Sequence, residues 1–197
     1  LLIVVKKAGQ EVSREDLLPA ARALAADIES AAPLSVRAVK AIVADGDGTV
    51  LARARVAHGL QSGHAGELAH DAAEAWHRGV RVALVEVLPA AGDVDVRGVN
   101  VAAMVPSLCA VGVDGVPVSP GLLYGDARGA GGDPGKNPSE SGELTRFLAW
   151  LAREHPDAAG FWPAQGVANH ALCGEGVIET TVAMTAWPLF DYTGWDA

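Results

Sequence analysis

Cysteine, methionine and basic residues are scarce in this chain, and apolar runs of bilayer length are missing. With two cysteines in 197 residues there is no disulfide framework. Cys109 and Cys173 form no C-x-x-C pair, and His170 beside Cys173 has no second pair of ligands to complete a metal site, so free thiols in a reducing, cytoplasmic compartment are expected. The apolar stretch at residues 80–91 is interrupted by Arg81, Glu86 and Pro89 and falls short of the roughly 20 residues that a membrane span needs. Residues 1–5 are apolar but precede Lys6 and Lys7 instead of following a basic stretch, and no small-residue cleavage site follows, which argues against a signal peptide. The absence of an initiator Met suggests a chain cut from something longer. A net charge of -9, without long acidic runs, opposes binding to nucleic acid and directs attention to a small neutral partner.

What is present is a composition that is 50% hydrophobic, enough to bury the core of one domain with a small appendage. Asp16 is placed to cap a helix with Pro19 in its first turn and Leu17, Leu18, Ala21, Leu24, Ala25 and Ile28 on one face, ended by Pro33. Residues 36–44 and 49–56 read as a β-hairpin around Asp45-Gly46-Asp47-Gly48. Asp71 and Glu74 have capping-box spacing, and Leu68, Ala72, Trp76, Val80, Ala83, Leu84 and Val87 recur at helical period. Residues 96–104 and 108–113 look like strands buried on both faces, closed by an Asp114-Gly115 turn. The Gly-, Pro- and Ser-rich residues 129–141 predict an exposed loop and a candidate lid. Helices follow near residues 142–154, with Leu144, Phe147, Leu148 and Leu151 on one side, and near 163–172. The tail from 176 has no clear period. The element order indicates an α/β domain.

From Asp45-Gly46-Asp47-Gly48-Thr49 through the Trp76 helix to Arg97-Gly98-Val99-Asn100-Val101, the chain resembles the opening of FGGY carbohydrate kinases. The run Val113-Asp114-Gly115-Val116-Pro117 to Leu122-Leu123-Tyr124-Gly125-Asp126-Ala127-Arg128 is similar to that family's strand, turn and D-x-R segment. Gly176-Val177-Ile178-Glu179-Thr180-Thr181, Pro188-Leu189-Phe190-Asp191 and Gly194-Trp195-Asp196 resemble its continuation. The resemblance implies that residues 39–197 are an incomplete first domain of an actin-like, ribonuclease H-like fold, a mixed sheet with flanking helices. It also implies ATP and Mg²⁺ in the intact kinase and a sugar or polyol substrate. Three departures stand out. The family's D-x-G-T-T-S phosphate loop has no counterpart around Ala31-Ala32-Pro33-Leu34-Ser35-Val36. The Gln-Met-His that contacts sugar in xylulose kinases falls on Met104-Val105-Pro106, which disfavours a simple xylulokinase. The family's catalytic Asp would lie beyond the C-terminus, so no catalytic residue is assigned. Residues 13–25 and 32–40 resemble the C-terminal helices of enoyl-CoA hydratases, implying a helical appendage at residues 1–38, a junction near 35–39 and no hydratase chemistry.

Within this resemblance the candidate substrate-binding residues are Met104, Pro106, Ser107, Asp126 and Arg128. Asp126 and Arg128 offer an acceptor and a fork donor to sugar hydroxyls, or else form an ion pair that holds their loop. Met104, Pro106 and Ser107 approach the sugar or pack in the core. Trp76 and Trp150 are assigned to the core, and Trp162, Trp187 and Trp195 to domain packing or sugar stacking. His58, His64, His70 and His77 are read as solvated, with no metal site. The Gly129-Ala130-Gly131-Gly132 run lacks a following Lys-Ser or Lys-Thr and is read as loop flexibility instead of a phosphate cradle. Three functions result: the sugar-binding side of an ATP-dependent carbohydrate kinase; a non-catalytic module that binds sugar or another chain, such as a separate ATP-binding domain or a second copy; and, from about the first 40 residues alone, a CoA-linked interaction segment.

Overall fold

The structure, a computed structural model, describes residues 2–6, 38–63, 66–130 and 142–190. In chain order its strands are Leu2–Lys6 (β1), Ala38–Ala44 (β2), Val50–Ala57 (β3), Gln61–Ser62 (β4), Leu68–Asp71 (β5), Asp95–Asn100 (β6), Ser107–Val111 (β7), Pro120–Leu123 (β8) and Gly160–Trp162 (β9). The α-helices are Gly79–Ala90 (α1), Glu143–Glu154 (α2), Ala164–Cys173 (α3) and Thr180–Met184 (α4). The fold is mixed α/β, and the described chain divides into two compact units. The first comprises residues up to Gly59 with Arg78–Ala102, and the second Leu60–His77 with the remainder. This division runs through residues 39–197, which the sequence suggested as one domain.

In the first unit the sheet order is β3-β2-β1-β6. The β2–β3 hairpin follows from its β-branched run and from its turn: Asp45 Oδ1 accepts the N–H groups of Asp47 at 3.1 Å and Thr49 at 2.9 Å, and Gly48 sits at φ +83°. Ala41, Ile42, Val43 and Ala44 are buried, and α1 packs on β2 and β3 through Val80, Ala83 and Val87. Two expectations are corrected here. Residues 2–6, placed in a helical appendage, form a strand running parallel to β2 and antiparallel to β6. The expected buried strand at 96–104 is instead an exposed edge strand, β6, because among the described residues β1 alone pairs with it. Residues 7–37 of the appendage, including the Asp16 helix, lie outside the described residues, as do residues 131–141 of the candidate lid, His64 and the end of the tail from 191.

The second unit is an antiparallel sheet ordered β4-β5-β8-β7-β9. All five residues of β7 are buried, so the expected buried strand at 108–113 holds for Leu108 to Val111, while Val113 is exposed in the turn that follows. On one face Leu108, Ala110 and Leu122 pack against Phe147 and Leu151 of α2, the periodic face read from the sequence. The Asp114-Gly115 turn forms as expected, with Gly115 at φ +72° and Asp114 Oδ1 accepting Val116 N–H at 3.1 Å. Asp71 Oδ1 accepts Glu74 N–H at 3.0 Å and starts a π-helical turn at Ala73–Arg78. Leu68 belongs to β5 and not to that helix. His70 is also in β5 and is buried, its Nδ1 accepting Trp76 Nε1–H at 3.2 Å, which corrects its reading as solvated. Among the described residues no helix is long and apolar enough to cross a membrane.

Candidate functional site

The antiparallel register of the second unit gathers distant segments at one end of its sheet. Ser107, opening β7, pairs with Leu123, closing β8, while Ala69 in β5 pairs with Leu122. On the other side Cys109 pairs with Trp162 in β9, and two residues on Ala164 N–H donates to Ser107 Oγ at 3.1 Å. Residues 66–68, 104–107, 123–128 and 163–165 therefore share this end. All five substrate-binding candidates lie among them.

Asp126 is the centre of this end. It is 1% exposed and caps the 3₁₀ turn Ala127–Gly129. Its Oδ1 accepts Arg128 N–H and Arg128 Nε–H, both at 2.8 Å, and its Oδ2 accepts Leu68 N–H and Arg128 Nη2–H, both at 2.6 Å. Four donors thus fill the roughly four acceptor positions of a carboxylate. Burial alone pushes the Asp126 pKa up, but these hydrogen bonds and the Arg128 charge outweigh it and hold the carboxyl below its ordinary value. The Arg128 guanidinium lies over the Trp150 ring, 4.9 Å from its centroid, and its hydrogen bonds to Asp126 raise its pKa. Of the two readings kept open for this pair, the loop-holding ion pair is present, and it leaves Asp126 no free lone pair for a ligand. Arg128 differs: among the described residues its Nη1 has no hydrogen-bond partner.

The other candidates are placed unequally. Met104 is 38% exposed. Pro106, which follows a cis peptide bond, and Ser107 are fully buried, and the Ser107 hydroxyl supports the start of α3, so neither is accessible to a ligand. Trp150 packs beside the core cluster as expected, and Trp162 lies against Gly166, Gly176 and the His170 ring.

Three residues escaped the sequence reading. Glu143, in the first turn of α2, accepts Gly125 N–H at 2.6 Å. Arg146 Nε–H donates to the Gly129 carbonyl at 2.6 Å. Glu179 caps α4, accepting Thr181 N–H at 2.8 Å and Val182 N–H at 2.9 Å. An acid in a helix's first turn is an ordinary dipole partner, and nothing in sequence spacing indicates that Glu143 reaches back to residue 125. Among the described residues no three His, Cys, Asp or Glu side chains come together to hold a metal ion.

No protein-family model matches the chain, and no curated protein does. Its fold, however, is similar to part of a carbohydrate kinase. The solved structure of xylulose kinase from Rhodospirillum rubrum superposes with a TM-score of 0.57 and 24% identity, covering 70% of this chain and 32% of that one. The resemblance read from the sequence holds at the level of fold. The chain spans about a third of that kinase's length, with the match covering 32% of it, so substrate and activity have to be argued from the site.

Proposed function

We propose that this chain is the sugar- or polyol-facing part of an FGGY-type carbohydrate kinase, residues 39–197 forming an actin-like first domain. In the intact kinase an ATP-binding domain with Mg²⁺ would supply the phosphoryl group, in a cytoplasmic setting. The observation that carries the proposal is the Arg128 guanidinium: fixed on one edge by Asp126 and from one face by Trp150, it keeps its Nη1 edge for hydroxyl oxygens. Met104, exposed at the same sheet end, would supply an apolar wall against the sugar's carbon skeleton. Asp126 acts through Arg128, while Pro106 and Ser107 support the strand end.

Thermal unfolding with a panel of pentoses, hexoses and polyols tests this. A ligand at ten times its Kd stabilises the folded state by about 1.4 kcal/mol, a midpoint rise of roughly 3–6 °C for a chain of this size. The rise is expected to be selective and to disappear in Arg128→Gln. If no sugar moves the midpoint of a cooperatively folded chain, the proposal fails.

The second reading, a non-catalytic module, is favoured by the parallel pairing of β1 with β2, which leaves no tight hairpin between them where the resemblance expects a phosphate loop. Under either reading, ATP with a sugar that raises the midpoint is expected to give no phosphorylated sugar with this chain alone. Turnover would overturn the second reading and, in the first, the assignment of phosphoryl transfer to a separate ATP-binding domain.

A further inference from the structure

One helix holds both ends of the turn that carries Asp126 and Arg128. Glu143 accepts the Gly125 N–H at its start and Arg146 donates to the Gly129 carbonyl at its end, each at 2.6 Å. The two side chains are three residues apart and share a helix face. Turn and helix touch directly between them: a Cβ added to Gly129 would stand 2.5 Å from Phe147 Cε1 and 2.6 Å from Glu143 Cγ. From this geometry we infer that Glu143 and Arg146 are positioning residues that set where the Arg128 guanidinium points, so that hydroxyl recognition at its free edge depends on the first turn of α2. The recognition half of the inference rests on the proposed function, whereas the positioning half does not.

Glu143 is 8% exposed. Burial, with the Asp126 charge, raises its pKa against the lowering effects of Gly125 N–H and Arg146. Among the described residues, the charges acting on it are those of Arg146 on its own helix and Asp126 on the turn, and Asp126 is paired with Arg128, which also feels the Glu67 charge. From the sheet, Leu108 and Ala110 pack in one cluster with Phe147 and Leu151 of α2. The Glu143 carboxyl should therefore titrate above the ordinary glutamate range. If the clamp positions Arg128, the turn should sense that titration.

The test is ¹⁵N NMR of the full chain, following the Gly125 amide and the Arg128 Nε–H with pH. Both are expected to shift with one shared midpoint. In Glu143→Gln, which keeps an acceptor for Gly125, both resonances should stay near their wild-type positions and lose that titration. In Glu143→Ala the Gly125 amide should move upfield and the Arg128 Nε–H should exchange rapidly with water. With any sugar that raises the wild-type midpoint, Glu143→Ala is expected to weaken binding about tenfold and Glu143→Gln less than about threefold. An Arg128 Nε–H that ignores both the titration and the substitutions overturns the inference, even if Glu143→Ala lowers the melting midpoint, as any structural residue would. If Glu143→Ala does not fold, the wild-type and Glu143→Gln titrations decide alone. If no sugar binds, the proposed function falls and the two resonances still decide the positioning.

Discussion

Replacing Gly121 by alanine should destabilise the second unit more than any other single methyl added to its sheet. Gly121 lies in β8 opposite His70 in β5, and the Trp76 indole covers it. A Cβ at this position would stand 2.5 Å from Trp76 Cζ2 and 2.7 Å from Cζ3, with Cη2 closer still. Ordinary contact begins near 3.4 Å, so the ring has to retreat by about 1 Å. Trp76 is 7% exposed and its Nε1–H is donated to His70 Nδ1 at 3.2 Å, so retreat strains a packed ring and stretches a buried hydrogen bond. Overpacking of this kind costs about 1–3 kcal/mol and the weakened bond about 1 kcal/mol more. At roughly 2–4 °C per kcal/mol, the midpoint should fall by about 5–15 °C. The assay is thermal unfolding followed by tryptophan fluorescence, in single and double variants with Trp76→Phe. In the Trp76→Phe background the alanine should cost at least about 1 kcal/mol less, because the smaller ring leaves room for the methyl. A Gly121→Ala midpoint within 1 °C of wild type, or a cost unchanged by Trp76→Phe, would refute the reasoning.

Other outcomes follow from the same structure. Asp126→Asn should cost about 3 kcal/mol in chemical denaturation, since it leaves the Arg128 guanidinium without its charged partner and turns amide hydrogens toward existing donors. Because the folded pKa of Asp126 is lowered, its contribution is present above the ordinary aspartate value and lost as pH falls through the folded one; the stability gap between wild type and Asp126→Asn should close on acidification. Glu143 has the opposite sign: its folded pKa is raised, so its stabilising contribution is full below the ordinary glutamate value and lost as pH rises through the folded one, and Glu143→Gln should gain on wild type from acid to neutral pH. Titration with a thiol reagent should count one reactive cysteine in the native chain, Cys173, and two after unfolding, because Cys109 is buried and its thiol pKa is pushed far up. Glu179→Ala should free two N–H groups at the start of α4 and lower stability by about 1 kcal/mol, checked by denaturant midpoint.

Sequence pattern was informative wherever one local force decides the outcome. The β2–β3 hairpin is fixed by its Asp-Gly turn, and the α2 face by apolar period. Strand β7 was visible because burial on both faces forces an unbroken apolar run. Pattern misled where partners are distant in sequence. Val96 and Val99 have the composition of an interior strand, yet β6 is an edge, since strand order is set by pairing and not by the strand's own residues. His70 looked like a surface residue spaced two turns from His77, until β5 placed it under Trp76. The D-x-R segment was found, but not its support: Glu143 and Arg146 reach it across residues 130–142, and no helical or strand period connects them.

The direction of β1 separates the two halves of the functional question. Leu2, Ile3 and Val4 pair in parallel with Ile42, Val43 and Ala44, so both strands end on the side of the Asp45–Thr49 turn. Parallel neighbours are joined only by a crossover of a dozen or more residues, which starts at one end of the sheet and finishes at the other. An antiparallel pair can instead be closed by a tight turn whose successive N–H groups converge on an anion. Being parallel, β1 and β2 are not such a pair. Under the proposed function, hydroxyl recognition would draw on the Arg128 edge in the second compact unit, whereas β1 and β2 in the first are not an antiparallel pair on which a phosphate-binding turn could be built. A sugar response without phosphoryl transfer is the outcome that the proposed function expects of this chain.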